Sequence, residues 1–251
     1  MGDKMNETDI IFGRNAVIEA LKSGRSINRL LIADGSHDNS INKIISIAKN
    51  KGIIIESTTK ERIDKIANGR HQGIVAYTSP VEYSTLEDIL KVAEDRNEKS
   101  FILLLDEIED PHNFGAILRT ADAVGVHGVL IPKRRSVSIN STVSKTSAGA
   151  VEYVKVAQIN NVAQTLRHLK DLNFTIVGSD VEGTSIYSKI NLDDPIVLVI
   201  GNEGKGMRRL SKENCDILVK IPMVGKINSL NASVAGAILM YEVFRQRKNY
   251  E

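Results

Sequence analysis

Short, mostly apolar runs, the first of them unbroken, recur through the second part of this chain, with helical patterns between them. The runs span Phe101–Leu105, His127–Ile131, Phe174–Gly178, Ile196–Ile200 and Ile217–Ile221. A strand whose side chains are nearly all apolar is typical of a parallel sheet covered by helices on both faces. Apolar stripes at helical spacing occur at 162–172 and 232–247. The alternation therefore predicts an α/β fold with a mostly parallel sheet over residues 100–251.

The first 79 residues predict a separate, small α/β domain. Two amphipathic helices end at Gly24 and Gly52. Three strands are predicted at Arg29–Ala33, Ile53–Glu56 and Gly73–Thr78.

The distribution of charge supports this division. Residues 1–79 carry 12 basic and 9 acidic side chains, residues 80–99 carry 3 and 6, and residues 100–251 carry 18 and 16. An acidic, polar segment thus separates two mildly basic blocks. The sequence predicts a first domain at 1–79, a linker at 80–99 and a second domain at 100–251.

Composition excludes several classes of protein. The chain has no Trp and only 4% aromatic residues, so it lacks the stacking side chains of single-strand readers, and any RNA would be bound through phosphates and shape. The single cysteine, Cys215, has no partner for a disulfide or at zinc spacing, which predicts a small buried apolar residue and no metal site. No signal peptide or membrane-length apolar segment is present, and we expect a cytosolic protein with no membrane partner.

Ligands of open α/β sheets gather at the loops that follow the carboxyl ends of strands. After the first apolar run, residues 106–126 predict a helix that buries one apolar stripe and ends at Gly125. Asn113 lies where a helix cap is expected, and Arg119 lies farther along the same helix. Taken alone, these residues suit ordinary structural roles, a cap and a solvated side chain.

Two further loops carry unusual residues. The sequence GNEGKGM, at Gly201–Met207, follows the apolar run at 196–200, and its glycines let backbone amides approach a ligand. Their spacing is not G-x-G-x-x-G, and no Gly-Lys-Ser/Thr ending is present, which excludes a dinucleotide or nucleotide-triphosphate enzyme. In the third loop, within 221–238, Ser229 and Asn231 suit helix caps.

Taken in this order, the three loops resemble the motifs of the SpoU-type, or TrmH-family, RNA ribose methyltransferases. The segments concerned are DPHNFGAILRTADAVGV, LVIGNEGKGMRRL and IPMVGKINSLNASVAGAI. In the first block, GRNAVIEAL and HQGIVA also resemble the accessory domain of the bacterial 23S rRNA guanosine-2'-O-methyltransferase group. The resemblance covers nearly the whole chain.

This resemblance implies a SPOUT fold, in which the parallel sheet contains a trefoil knot, and a small N-terminal α/β domain that binds RNA. It also implies S-adenosylmethionine as cofactor, a homodimer with the active site across its interface, and 23S ribosomal RNA as substrate. Two alternatives stay open: the same chemistry on transfer RNA or another ribosomal site, and a non-catalytic RNA-binding factor for ribosome assembly. The intact motif residues argue against lost chemistry.

The resemblance also assigns roles to residues of this chain. The catalytic residues are Asn113, Arg119, Glu203, Ser229 and Asn231. The cofactor-binding residues are Gly201, Asn202, Ile221, Ser229 and Leu230. The expected RNA-binding residues, two basic clusters just beyond strand ends, are Lys133, Arg134, Arg135, Lys205, Arg208 and Arg209. Because a guanidinium is an awkward general base, we expect Arg119 to stabilise the developing alkoxide and to grip the phosphate.

Overall fold

A computed structural model of the protein describes residues 9–36, 38–67, 69–226 and 229–248. These residues form two compact units. The first unit contains the described residues up to 82 together with residues 138–153, and the second contains 83–137 and everything described from 154 onward. Residues 138–153, called here the excursion, fold with the first unit, whereas the boundaries predicted from the sequence include them in the second domain.

The elements of the first unit are four strands and four α-helices within the described ranges. The strands are β1 (Asp9–Phe12), β2 (Ile27–Ala33), β3 (Ile54–Thr58) and β4 (Ile74–Thr78). The helices are α1 (Arg14–Ser23), α2 (Asn39–Asn50), α3 (Lys60–Ile66) and, from the excursion, α6 (Ser141–Thr146). A 3-10 helix, Ala150–Glu152, follows α6.

The sheet of the first unit has the order β1-β4-β2-β3. Strand β4 runs antiparallel to β1 and β2, whereas β3 runs parallel to β2. Alternate residues of β2 point to opposite faces: Leu30 packs with the apolar stripes of α1 and α2, and Leu31 packs with Ile63 of α3. Strand β1 was not predicted, because four residues beside a polar terminus give too short a pattern.

The second unit is built on a seven-stranded sheet. Its strands are β5 (Phe101–Asp106), β6 (Gly128–Pro132), β7 (Val156–Ile159), β8 (Thr175–Ser179), β9 (Ser185–Ile186), β10 (Ile196–Gly201) and β11 (Ile217–Lys220). Its helices are α4 (Leu86–Asp95), α5 (Pro111–Ala123), α7 (Val162–Asp171), α8 (Arg209–Glu213) and α9 (Ala232–Lys248).

All six strand pairings in this sheet are parallel, in the order β7-β6-β5-β10-β8-β11-β9. Every residue of β5 is buried, as its unbroken apolar run predicts. The α/β prediction is confirmed, while the trefoil knot stays a prediction. The two strands that the sequence did not indicate, β7 and β9, are the short edge strands of the sheet.

Residues 80–99, predicted to be a linker, include helix α4. Thr85 and Asp88 form a reciprocal capping box at its start. Ile89 of this helix packs in the core of the second unit, against a sheet residue, Gly128, whose missing side chain leaves room for it. Among the described residues, no helix is both long and apolar enough to cross a membrane.

The strand order decides where a ligand can bind. Strands β5, β10, β8 and β11 are consecutive neighbours and all run in one direction. Their carboxyl ends therefore lie along one edge of the sheet, and the loops that follow them meet there.

Candidate functional site

A cavity of about 340 Å³ lies at this edge, within the second unit. This volume is in the range of small-molecule sites. The five residues expected to bind a cofactor all line it, namely Gly201, Asn202, Ile221, Ser229 and Leu230. Glu203 and Lys205 line it as well. Residues separated by up to about thirty positions in the sequence are thus brought to one pocket by the parallel strands.

The glycine-rich segment after β10 forms a closed turn. The backbones of Asn202 and Gly206 exchange hydrogen bonds of 2.8 and 3.1 Å. The Asn202 side chain accepts hydrogen bonds from the amides of Gly204 and Lys205 and donates one, of 3.0 Å, to the carbonyl of Glu107. The turn is therefore fixed internally and is also tied to the end of β5.

Gly201 must be glycine in this turn. A Cβ atom placed on it would lie 2.4 Å from the backbone nitrogen of Met207 and 2.8 Å from the carbonyl oxygen of Gly206. Backbone atoms cannot rotate away as a side chain could, so a larger residue would open the turn.

Three of the predicted catalytic residues, Asn113, Glu203 and Asn231, form one hydrogen-bonded cluster. The amide nitrogens of Asn113 and Asn231 both donate to the Oε1 atom of Glu203, the second at 3.0 Å. The Asn231 amide also donates to the Asn113 side-chain oxygen at 2.9 Å. In the described ranges no other donor bonds to this carboxylate, so Oε2 is available to a ligand.

The expectation that Asn113 caps helix α5 is wrong. Asp110 is the cap, because its carboxylate accepts from the amides of His112 and Asn113, and Pro111 takes the first helical position. Asn113 lies inside the first turn, nearly buried, with its side chain free to bond to Glu203. Asn231 both caps helix α9 and binds Glu203. Its side-chain oxygen accepts from the amides of Ser233 and Val234 at the start of α9, while its side-chain nitrogen donates to Glu203.

An ion pair between Arg208 and a buried aspartate holds the far end of the glycine turn. Asp106, the fully buried last residue of β5, accepts hydrogen bonds from the backbone nitrogen of Arg208 at 2.9 Å and from its Nε atom at 2.7 Å. The Nη2 atom of Arg208 lies 2.6 Å from the same carboxylate. Arg208, expected to bind RNA, therefore uses its guanidinium to position the turn.

We expect Asp106→Asn to weaken binding of S-adenosylmethionine, the cofactor that the motif resemblance implies, about tenfold, because the amide cannot match a charge-assisted bond to Arg208 worth about 1.5–3 kcal/mol. Titration calorimetry measures this change. Glu213→Gln is the control, because it removes an exposed ion pair to Arg209 that contributes about 0.5 kcal/mol or less to stability. Unchanged binding by the Asp106 variant would contradict the positioning role.

Arg119 lies apart from these residues. It is exposed on α5 and is absent from the lining of the pocket in its own chain. In the part of the chain that the structure describes, no carboxylate forms an ion pair with it. A single chain thus brings Asn113, Glu203, Ser229 and Asn231 together and leaves Arg119 out.

The six expected RNA-binding residues divide into two groups. Arg135, Arg208 and Arg209 pair with carboxylates, namely with Glu107 at 3.4 Å, Asp106 and Glu213 respectively. The others are Lys133, Arg134 and Lys205, which have no carboxylate partner within the described ranges. The second group keeps its full charge for a polyanion.

One wall of the pocket, formed by the loop after β8, was not predicted from the sequence. Asp180 in this loop is nearly buried, and its carboxylate lies 2.5 Å from the Nζ atom of Lys212, which also lines the pocket. Glu182 is a further lining residue. The rule applied to the other strand ends could have found this loop, because the preceding apolar run was predicted.

Comparison with known proteins identifies two matching families. Residues 100–241 match the SpoU rRNA Methylase family, and residues 10–84 match a family described as RNA 2'-O ribose methyltransferase substrate binding. A relative from Bacillus subtilis, named "Putative TrmH family tRNA/rRNA methyltransferase YacO", is 48% identical over 95% of this chain and 96% of its own.

Solved structures agree with this match. A crystal structure of an RNA 2'-O ribose methyltransferase is 26% identical, with a TM-score of 0.79 over 97% of this chain and 90% of the other. The SpoU methyltransferase AviRb from Streptomyces viridochromogenes, in complex with AdoMet, has a TM-score of 0.82 over 100% of this chain and 96% of its own. At 21% identity, the second likeness shows the fold alone. The fold is that of the SPOUT methyltransferases.

Proposed function

The chain belongs to the SpoU, or TrmH, family of RNA 2'-O-methyltransferases, and we propose that it methylates the ribose of a guanosine in 23S ribosomal RNA. The observation that carries the proposal is the pocket where the glycine turn, the Asn113–Glu203–Asn231 cluster and the start of α9 meet. The match of residues 10–84 to a substrate-binding family supports an RNA substrate. A ribosomal RNA substrate would place the protein in the cytoplasm.

The lining of the pocket suits S-adenosylmethionine, the cofactor of SpoU methyltransferases. Ile221 and Leu230 offer apolar surface to an adenine ring, and the turn from Gly201 to Gly206 offers backbone amides at close range. Glu203, which forms no ion pair with a lysine or arginine in the described ranges, is an acidic group suited to a ligand that carries positive charge. The residues present therefore fit the cofactor.

When bound, S-adenosylmethionine would supply a methyl group to the ribose 2'-oxygen: the new C–O bond forms in line with the breaking C–S bond, S-adenosylhomocysteine leaves, and the hydroxyl proton is released. The protein must hold the ribose oxygen on that line, so most of its contribution is positioning. Glu203, held by two amides, fixes one side of the site. Arg119 would bind the phosphate next to the target ribose and stabilise the negative charge that develops on the 2'-oxygen. Ser229 would contact both the cofactor and the ribose.

The role of Arg119 requires a second copy of the chain. Arg119 is exposed and lies outside the pocket of its own chain. Helix α9, which packs against α5, leaves Val234 46% and Tyr241 52% exposed, and these residues are seven positions apart on one helical face. An apolar stripe beside the arginine-bearing helix favours a homodimer that buries the stripe and brings Arg119 to the partner's pocket.

Transfer of labelled methyl groups separates the candidate substrates. We expect the protein to methylate unmodified 23S rRNA transcript in the presence of S-adenosylmethionine, with mass-spectrometric mapping locating one 2'-O-methylguanosine. Unmodified transfer RNA and 16S rRNA are the matched controls. Methylation of transfer RNA alone would replace the proposed substrate, and binding without transfer to any of the three would indicate a non-catalytic RNA-binding factor.

A further inference from the structure

A group of basic side chains lies at one edge of the first unit. We propose that Lys145, Arg70 and Arg14 form a phosphate-binding surface for the RNA substrate, called here the Lys145 surface. Lys145 comes from the excursion 138–153 and lies beyond the substrate-binding match, which ends at residue 84. This inference rests on the proposed action on RNA and names the groups that contact it.

Lys145 is held next to the loop that carries Arg70. Its Nζ atom lies 4.9 Å from the centroid of the Phe12 ring, at the end of β1. A Cβ atom placed on Gly69 would lie only 3.3 Å from the same Nζ atom, so the ammonium group lies against the backbone immediately before Arg70. The aromatic contact fixes the stem of the lysine without neutralising its charge.

Arg14 is bound to the other end of the same loop. Its backbone nitrogen donates to the Gln72 side-chain oxygen at 3.0 Å, and its Nε atom donates to the Gln72 carbonyl at 3.2 Å. His71, between Arg70 and Gln72, is buried and accepts a hydrogen bond from the amide of Gly73 through Nδ1. Arg14 belongs to the motif GRNAVIEAL and Gln72 to the motif HQGIVA. These two motifs, which are distant in sequence, are therefore in contact in the first unit.

The local charges leave this edge positive. Arg14 pairs with Asp38 at 2.6 Å, and the Asp64 carboxylate is held by a hydrogen bond to His71 at 2.7 Å. Across the described ranges, neither Lys145 nor Arg70 has a carboxylate within ion-pair distance. Two unneutralised cations at one edge of the unit suit neighbouring phosphates of an RNA backbone.

The excursion is firmly attached to the first unit. Arg25 is buried and pairs with Asp9 at 2.8 Å and with Glu152 at 2.9 Å, which anchors the 3-10 helix that follows α6. Helix α6 packs along β1. Lys145 therefore belongs to a segment that connects β6 to β7 of the second unit in sequence but folds as part of the first unit. A phosphate bound at Lys145 would be held by this connecting segment.

Filter binding of the full-length protein to unmodified 23S rRNA transcript, over a range of KCl concentrations, tests this surface. We expect the double variant Lys145→Gln and Arg70→Gln to bind about tenfold more weakly, and the slope of log affinity against log salt to fall by about 1.4–1.8, since each lost phosphate contact contributes about 0.7–0.9. The control is Lys49→Gln with Lys43→Gln, two exposed lysines on α2 in the same unit. Glutamine keeps much of the stem in every case.

The outcomes separate the two proposals. Equal slopes for the Lys145 double variant and the wild type would overturn the surface, whatever the catalytic result. A reduced slope in the Lys145 variant, with the control unchanged, supports the surface even if no methyl transfer occurs, in which case the proposed function alone fails. An equal loss in the control variant would reduce the effect to net charge and overturn the site. A wild type that does not bind RNA would overturn both.

Discussion

Replacement of Arg119 with alanine is expected to lower the rate of RNA methylation about a thousandfold while S-adenosylmethionine binds normally. The magnitude is that of removing one group that stabilises developing negative charge. Binding of the cofactor should not change, because Arg119 is proposed to contact the RNA phosphate and the 2'-oxygen and not the cofactor. Single-turnover methyl transfer and titration calorimetry measure the two quantities. A variant with near-normal turnover would remove Arg119 from the mechanism.

A mixed dimer tests the stronger statement that Arg119 acts in the pocket of the partner. An Arg119→Ala chain has an intact pocket, and a chain disabled in its pocket keeps its arginine. Together they can form one complete site per mixed dimer. Refolding the two inactive chains in equal amounts should therefore restore about a quarter of wild-type activity if arginines act across the interface. If size-exclusion chromatography shows dimers but activity does not recover, Arg119 either acts in the pocket of its own chain or takes no part in the chemistry.

Gly201→Ala is expected to be the most damaging substitution in the pocket and supplies the disabled chain for that experiment. Its Cβ would lie 2.4 Å from a backbone nitrogen, and the overlap must open the turn between Asn202 and Gly206. We expect a loss of about 2 kcal/mol in stability, or about 6 °C in melting temperature. Affinity for S-adenosylmethionine should fall about a hundredfold, because displaced backbone amides lose hydrogen bonds to the cofactor of about 1–1.5 kcal/mol each.

Gly236→Ala provides the matched control. Gly236 lies on α9, and a Cβ atom there would meet its nearest neighbour at 3.8 Å, an ordinary contact. Alanine also suits a helix interior better than glycine does. The control should melt no lower than the wild type. If Gly201→Ala bound S-adenosylmethionine with the same affinity as Gly236→Ala, the close packing of Gly201 against the backbone of the turn would have no role in cofactor binding. Asn231→Ala can serve as the disabled chain if the Gly201 variant does not form dimers.

Local pattern predicted the architecture of the second unit well. The run Phe101–Leu105 is a fully buried central strand, and the stripe at 162–172 is a helix packed on the sheet, as expected. These predictions succeed because a strand buried on both faces gives a continuous run of apolar residues, and a helix buried on one face gives apolar residues at helical spacing. Short edge strands such as β9, with two residues, leave almost no record.

The side-chain partners could not be predicted in the same way. Asn113 occupies a position that suits a cap, and its actual bond to Glu203 spans 90 residues of sequence. Arg208 belongs to a basic cluster that suits RNA, but its guanidinium is bound by a buried aspartate 102 residues earlier. In each case the same residue types allow both roles, and the outcome depends on which acceptor the folded chain brings within hydrogen-bond distance.

By itself, the sequence determined an alternating α/β chain with three loops at strand ends, since helix and strand periodicity and turn-forming glycines are properties of neighbouring residues. Only the tertiary structure decided that residues 138–153 fold with the first unit, that Asp180 forms a wall of the pocket, and that Arg119 lies outside it. Those facts depend on the order of strands in a sheet and on contacts between distant residues. The free energy of such contacts is available only once the chain has closed around them.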